Sequence, residues 1–466
     1  MNIIIFLAAV AYLGLAIYRL EWAVLLLAFA LPSYLLRFSI FGFPSTILEL
    51  MLLISFAVFF VRDFKNRGGN LKSYFNKTQV KPYPFRIEII IFLLVAFLSL
   101  AVAGFSNDAL GIFKAYFLEA ILFFILLFNV FRTDEARVKI YWALAASALI
   151  ISIFAFYQKI TGQFFPTEFL ANQRRVTSFF PYPNALGLYL GPIVLILSGF
   201  IFKLWQTRKN KIDYIKIIGL GLIIGIALLA IYLAQSEGAL VGVLIALFIS
   251  ALIFNKTSRY LAIGAAGIFF IFIISNSSAW NYVRIKATLN DLTGQIRKQQ
   301  WIETKKMFFA EPKIALFGTG LNNYQQSIAP YHQEGIFVKN DDPNWLQKVR
   351  ESAEYRKLVW QPTEIYMYPH NIFLNFWTEL GLVGMLLFVW IFLRFFWEIV
   401  KIFKNKELFD IGDKALLVGL TGAMIVVIIH GLVDVPYFKN DLALLFWLFV
   451  FQLSWFKIKY ELAVKK

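Results

Sequence analysis

The chain has 466 residues, of which 60% are hydrophobic and only 16% charged, with a mean hydropathy of +0.68. So apolar a composition excludes an ordinary soluble fold, and the absence of cysteine excludes disulfides and thiolate metal sites. The net charge of +17 acquires a meaning only once its Lys and Arg residues are located along the chain.

From the amino terminus onward, apolar runs of roughly 17 to 25 residues recur, each long enough to cross a hydrocarbon core about 30 Å thick. They lack the alternation of barrel strands, and lipid does not tolerate unpaired backbone groups, so they are predicted to be helices. Spans are expected near residues 2–17, 21–36, 44–61, 86–104, 110–129, 139–157, 182–202, 215–233, 238–254, 260–275, 371–397, 415–433 and 441–457. The first two are short and separated only by Arg19, Leu20 and Glu21, so the total is about 12–13. The expected fold class is an all-α polytopic membrane protein. It divides into an amino-terminal transmembrane bundle (1–275), a large, partly helical extracytoplasmic loop domain (276–370), and carboxyl-terminal helices with a short cytoplasmic tail (371–466).

Basic residues set the orientation. Arg62, Lys65, Arg67, Lys72, Lys77, Lys81 and Arg86 fall on one side, with Arg132, Arg137 and Lys139, the group from Lys203 to Lys216, the group from Lys401 to Lys414, and the carboxyl-terminal lysines. This side is assigned to the cytoplasm. Opposite loops hold little beyond Arg37, Lys159, Arg174, Arg175 and Lys439. The positive charge therefore belongs to cytoplasmic loops and does not imply nucleic-acid binding. Met1-Asn2-Ile3 places no basic residue before the first run, which argues for a retained span starting outside rather than a cleaved signal peptide.

Four outer segments can carry chemistry. In the first, Lys114 and Glu119 lie within an apolar run. Ionisable groups there are functional candidates, although Lys114 snorkelling to the interface and Glu119 bonding a neighbouring helix would explain them equally. The second contains Asn172-Gln173-Arg174-Arg175-Val176-Thr177-Ser178 and Pro181-Tyr182-Pro183-Asn184. Two arginines against the charge bias suit a phosphate-bearing ligand, and solvated loop arginines are the plain alternative. The third is the long segment itself, where 295–309 reads as a helix with basic residues beside an apolar stripe. Its Gly318-Thr319-Gly320-Leu321-Asn322-Asn323-Tyr324 is a weak phosphate-loop signal, because the Lys and hydroxyl residue of a nucleotide loop are missing. In the fourth, Tyr368-Pro369-His370-Asn371 precedes a long apolar run, with Asn371 as its cap and His370 at the positive end of the helix. Only His332, His370 and His430 are histidines, and His430 lies four residues before Asp434.

These motifs resemble the O-antigen ligase and O-antigen polymerase (Wzy-type) superfamily of bacterial envelope glycan assembly. The strongest match is Pro369-His370-Asn371-Ile372-Phe373-Leu374 continuing into Glu379-Leu380-Gly381-Leu382-Val383-Gly384. Weaker ones stand in order: Arg175-Val176-Thr177-Ser178 with Pro183-Asn184, Arg297 and Trp301 with Gly318-Thr319-Gly320-Leu321, and His430-Gly431-Leu432-Val433-Asp434. The resemblance covers roughly 85–455 and departs at Glu237, where relatives often carry a basic residue.

The resemblance implies a GT-C-like membrane glycosyltransferase acting at the outer face of the bacterial cytoplasmic membrane. It would move a glycan from an undecaprenyl diphosphate-linked donor to a sugar hydroxyl of a glycan or glycolipid acceptor, with membrane lipid and no nucleic acid as partners. Arg175 and Arg297 would stabilise the departing diphosphate and His370 would act as general base, with Arg174, Asn184, Lys114, Glu119, Asn371, His430 and Asp434 around the substrates. No cofactor is expected. The adjacent pair Asp341-Asp342 reads as a solvated turn rather than a metal site, and the resemblance favours a single inverting displacement. A lipid-linked glycan flippase is the alternative, but no internal repeat of the kind transporters carry is found.

Overall fold

The computed structural model describes residues 3–40, 43–69, 83–167, 175–404 and 409–464. The chain is 79% helical with little sheet. Its first elements, α1 (Ile3–Tyr18) and α2 (Leu20–Phe29), form a hairpin turned at Arg19. The Tyr12 hydroxyl locks it, donating to Ala23 O at 2.9 Å and meeting Ser55 Oγ of α3 (Ile47–Asn66) at 2.7 Å.

The expected run at 21–36 is not one helix. Pro32 lacks the N–H that α2 would need to continue, so a tighter turn, Leu31–Leu35, follows instead. At ten residues α2 is about 15 Å long, half of what a crossing requires. The antiparallel ribbon of β1 (Arg37–Ile40) and β2 (Phe43–Thr46) then leads into α3, whose first turn is capped by Thr46 Oγ1 accepting from Glu49 N at 3.1 Å.

The bundle continues through α4 (Arg86–Val102), α5 (Asn107–Val130), α6 (Asp134–Thr161), α7 (Pro183–Thr207), α8 (Lys211–Leu233), α9 (Glu237–Phe254) and α10 (Lys256–Ser275). It is completed by α17 (Ile372–Lys404), α18 (Ile411–Gly431) and α19 (Asn440–Val464). Among the described residues nine helices are long and apolar enough to cross a membrane: α5 to α10 and α17 to α19. The other four expected spans are shorter or more charged than these nine. α1, α2 and α4 have 16, 10 and 17 residues, and α3 carries Glu49, Arg62, Asp63 and Lys65.

Helices α7, α18 and α19 form the centre, with 83%, 78% and 83% of their apolar windows buried, whereas α10 lies at the rim with 6%. Apolar burial against lipid gives no net drive between helices, so close packing has to hold the centre. Gly199 and Gly419 permit it. A Cβ on Gly199 would stand 2.5 Å from Ala415 O and 3.0 Å from Gly419 Cα, so the backbones of α7 and α18 touch there. One turn beyond Gly199, Lys203 pairs with Asp413 at 2.8 Å; Lys459 of α19 meets the same carboxylate at 2.5 Å, and Arg394 of α17 pairs with Glu88 of α4. These are helix ends that the basic loops group on one side.

Residues 276–370 fold into short elements: α11 (Ser277–Ala287), α12 (Leu292–Ala310), α13 (Pro312–Phe317), α14 (Tyr324–Ile328), α15 (Trp345–Glu351) and α16 (Ala353–Val359). An antiparallel ribbon of β3 (Gly335–Phe337) and β4 (Trp360–Pro362) ties the middle together. Met307, Phe308, Tyr324 and Ile328 make a small separate core, against which Leu374 and Trp377 of α17 pack.

Helix α17 is broken at Gly381 (φ 74°, ψ −178°). Residues 382–404, about 34 Å long, suffice to cross, and residues 372–380 form a separate outer piece. Carbonyls freed at the break need donors inside the protein. Thr319 supplies two, its N–H to Thr378 O at 2.7 Å and its hydroxyl to the same oxygen at 3.1 Å. Ser99 Oγ donates to Glu379 O at 2.6 Å, and the Asn322 N–H donates to the Glu379 carboxylate at 2.8 Å. Gly318 and Gly381 both have positive φ and meet backbone to backbone, a Cβ on Gly381 falling 2.3 Å from Leu316 O. Gly318-Thr319-Gly320 is thus the plug of a broken helix rather than a phosphate loop.

Two glycine substitutions test this packing. Gly199→Leu is expected to lower stability by about 1–3 kcal/mol through overpacking against backbone. Gly381→Ala adds the roughly 1–2 kcal/mol cost of a left-handed L residue to a steric clash. Thermal unfolding of purified protein in detergent checks both, and wild-type melting in either variant would contradict the contact it targets.

Candidate functional site

Three loops and the ends of several helices meet around His370. The residue adopts φ +45°, an uncommon conformation for a side chain with a Cβ, and it is held there from both sides. Before it, Pro369 O accepts from Trp301 Nε1 of α12 at 2.8 Å. After it, Asn371 Oδ1 accepts from Phe373 N and Leu374 N, each at 3.0 Å, capping α17.

The imidazole faces Tyr366 and Tyr368, with ring centroids 5.0 and 5.2 Å away, and its Nδ1 lies 3.1 Å from Gln300 Oε1. An amide oxygen can only accept, so Nδ1 carries the hydrogen and Nε2 keeps its lone pair. Burial holds His370 below its ordinary pKa of 6.5; Asp434 opposes that shift and Arg297 adds to it. Burial, more than the helix end expected from sequence, keeps the ring neutral.

Arg297 lies one turn before Trp301 on α12, and its charge is felt at His370, His430 and Tyr366. Its buried Nε has no hydrogen-bond partner among the described residues. A guanidinium N–H left unmatched beside a neutral histidine is a donor available to a ligand.

Asp434, 2% exposed, links this group to Arg175. It accepts from Asn184 Nδ2 at 3.3 Å, and Asn184 Oδ1 accepts from Arg175 Nη2 at 3.4 Å. Arg175 also donates from Nε to Ala234 O at 3.0 Å and from Nη2 to Gln235 O at 3.1 Å, so carbonyls at the α8–α9 turn fix its plane. Burial lowers the Arg175 pKa, and nearby Glu237 partly offsets this. Glu237 itself pairs with Lys286 of α11 at 2.8 Å and accepts from Tyr282 at 3.2 Å, so it ties the outer segment to α9.

The remaining expected residues make the following contacts. His430 is buried, packed so tightly on Gly238 that a Cβ there would reach 2.5 Å from its ring. The Asn371 side chain is used internally, capping α17 and donating to Leu432 O at 3.0 Å. Lys114 sits in a π-helical turn, Phe113–Leu118, and pairs with Glu49 at 2.7 Å. Glu119 is buried beside that pair, with neither carboxylate oxygen hydrogen-bonded among the described residues. Arg174 lies outside the described residues. Asp341 and Asp342 pair separately, with Arg284 at 3.5 Å and Lys348 at 2.6 Å, and His332 is engaged through both nitrogens by Glu303 and Thr363 O.

Four contributors escaped the sequence reading. Gln300 is signalled only by its place one turn before Thr304 on a helix of unremarkable polarity. Tyr182 and Tyr368, whose hydroxyls meet at 3.2 Å, stand in the quoted motifs but read as ordinary interfacial aromatics. Lys439 reads only as an outer charge, yet its ammonium lies 3.9 Å from the Tyr182 ring centroid.

No curated protein matches the chain. Residues 220–389, which run from α8 past the break in α17 and include Arg297 and His370, match the family model described as O-antigen ligase.

Proposed function

We propose that the chain is a glycosyltransferase of this type. It moves a glycan from an undecaprenyl diphosphate-linked donor to an acceptor sugar hydroxyl at the outer face of a bacterial cytoplasmic membrane, by one inverting, metal-independent displacement. The observation that carries the reading is a buried His370 whose Nδ1 lies 3.1 Å from Gln300 Oε1, in electrostatic range of an Arg297 with an unmatched buried N–H.

In the proposed step the acceptor hydroxyl gives its proton to His370 Nε2 as its oxygen bonds to the anomeric carbon. The bond from that carbon to the diphosphate oxygen breaks, and its electron pair leaves with the diphosphate. Guanidinium groups of Arg297 and Arg175 meet the charge that develops there. The carbonyls and Asn184 that hold Arg175 keep it in place, which is what preorganisation requires.

Three measurements test the proposal. Arg175→Ala and Arg297→Ala are each expected to lower turnover by about 10²–10³-fold, the loss typical of one oxyanion donor. Arg175→Lys should recover little, because an ammonium cannot reproduce a planar fork. Wild-type rates in both alanine variants, or movement of lipid-linked glycan across vesicles without new glycosidic bonds, would sink the reading.

The pH profile tests His370. A general base must be neutral, so its lowered pKa puts the acid limb of kcat/KM below pH 6.5. Arg297→Gln removes a charge that lowers this pKa, so the limb should move upward while the rate falls. His370→Gln keeps size and hydrogen bonding but cannot take the proton, and full activity in that variant would exclude His370 as the base.

The orientation is open to direct labelling. Cysteines placed singly at positions 72 and 340 of this cysteine-free chain should react with an impermeant reagent in intact cells only at 340. Reaction at 72 alone would reverse the assignment.

A further inference from the structure

Contacts lead from His370 in two directions. One runs through Gln300 to α12 and Arg297. The other runs through Tyr368 to Tyr182 and on to Lys439, in the turn between α18 and α19.

This second region holds an unusual pair. The Lys439 ammonium is buried and makes no hydrogen bond among the described residues, its closest recorded neighbour being the face of Tyr182. Asp441 is 0% exposed, and although its Oδ1 accepts from Leu442 N at 3.0 Å, its Oδ2 has no hydrogen-bond partner among the described residues. The two residues are electrostatic neighbours, yet they form no ion pair with each other. Tyr34 and Tyr116 lie in electrostatic range of the same carboxylate and of Tyr368.

A buried donor and a buried acceptor, each unmatched and not joined to one another, restrict the ligand. An anion would suit Lys439 but would meet Asp441 and Asp434, which both act on that lysine. A cation would suit the carboxylates and be repelled by the ammonium. A hydroxyl both donates and accepts, so adjacent hydroxyls on one ring can satisfy Asp441 Oδ2 and Lys439 Nζ together. Tyrosine hydroxyls and ring faces around them suit a sugar, which is polar at its edge and apolar on its face.

Resting on the transferase reading, we infer that Lys439, Asp441 and the tyrosines Tyr34, Tyr116, Tyr182 and Tyr368 form the pocket for the acceptor sugar, presenting its nucleophilic hydroxyl to His370 Nε2. Burial pulls the Lys439 pKa down to about 8, the mark of an ammonium poorly served by its surroundings until a ligand bonds it. Lys439 and Asp441 are positioning residues in this scheme, because they hold the ring and do not take the proton.

The test uses the full-length protein in detergent, with donor and acceptor lipid fractions separated by chromatography from cells lacking the gene. Lys439→Met and Asp441→Asn are expected to raise the acceptor KM by about tenfold or more, as for loss of a hydrogen bond to a charged group, and to leave the donor KM nearly unchanged. A purely structural role predicts instead that the double variant Lys439→Met/Asp441→Leu, which removes both charges, regains activity. Recovery there, an unchanged acceptor KM, or a rise in donor KM alone would overturn the pocket. Calorimetric titration of His370→Ala protein with the acceptor fraction reads the pocket without catalysis, and binding should weaken when Lys439→Met is added. Lysine-dependent binding in a protein whose wild type joins no glycan would refute the transferase reading and keep the pocket. Transfer by wild type with lysine-independent binding would do the reverse.

Discussion

Backbone carbonyls released at the break in α17 have to be satisfied by protein, and most of the outer architecture depends on how this is done. A continuous α17 would need nothing from the 276–370 segment. Because it breaks at Gly381, Thr319, Asn322 and Ser99 must come to Thr378 and Glu379, and only glycine at 318 and 381 lets the two backbones approach. That docking brings α12 against the start of α17, and so brings Arg297, Gln300 and Trp301 to His370. The chemistry is thus positioned by a structural repair some ten residues away.

Burial and preorganisation act together at the site. His370 is held in a left-handed conformation by the Trp301 bond before it and the Asn371 cap after it, and the same packing keeps its ring neutral. Arg175 is anchored by three acceptors, whereas Arg297 keeps a buried N–H unmatched. Such a contrast suits a site with one preset cation and one that finds its full set of acceptors only with substrate bound. Asp434 joins the halves, reaching Arg175 through Asn184 and acting electrostatically on His370 and Lys439. At the opposite helix ends, ion pairs such as Lys203–Asp413 and Arg394–Glu88 tie the bundle together, so the outer site rests on a braced frame.

The amino-acid sequence by itself determined the class of molecule, because crossing lipid demands long apolar helices and leaves little latitude in composition. Helices α5 to α10 and α17 to α19 follow from run length alone. Arg175 stood out against the charge bias and His370 by its place before a long apolar run, whereas Arg297, Asn184 and Asp434 were legible only through the family resemblance. Tertiary structure decided the rest. Pro32 cut the second run to a ten-residue helix, and Lys114 took Glu49 as its partner. The glycine turn at 318–320 proved to serve a helix break instead of a ligand, a role that depends on Thr378 some sixty residues later. Gln300, Tyr368 and Lys439 became visible only as neighbours of His370 or of each other. Local sequence carries helix period and span length, but a side chain's partner is chosen across the bundle, where distance along the chain bears no relation to distance in space.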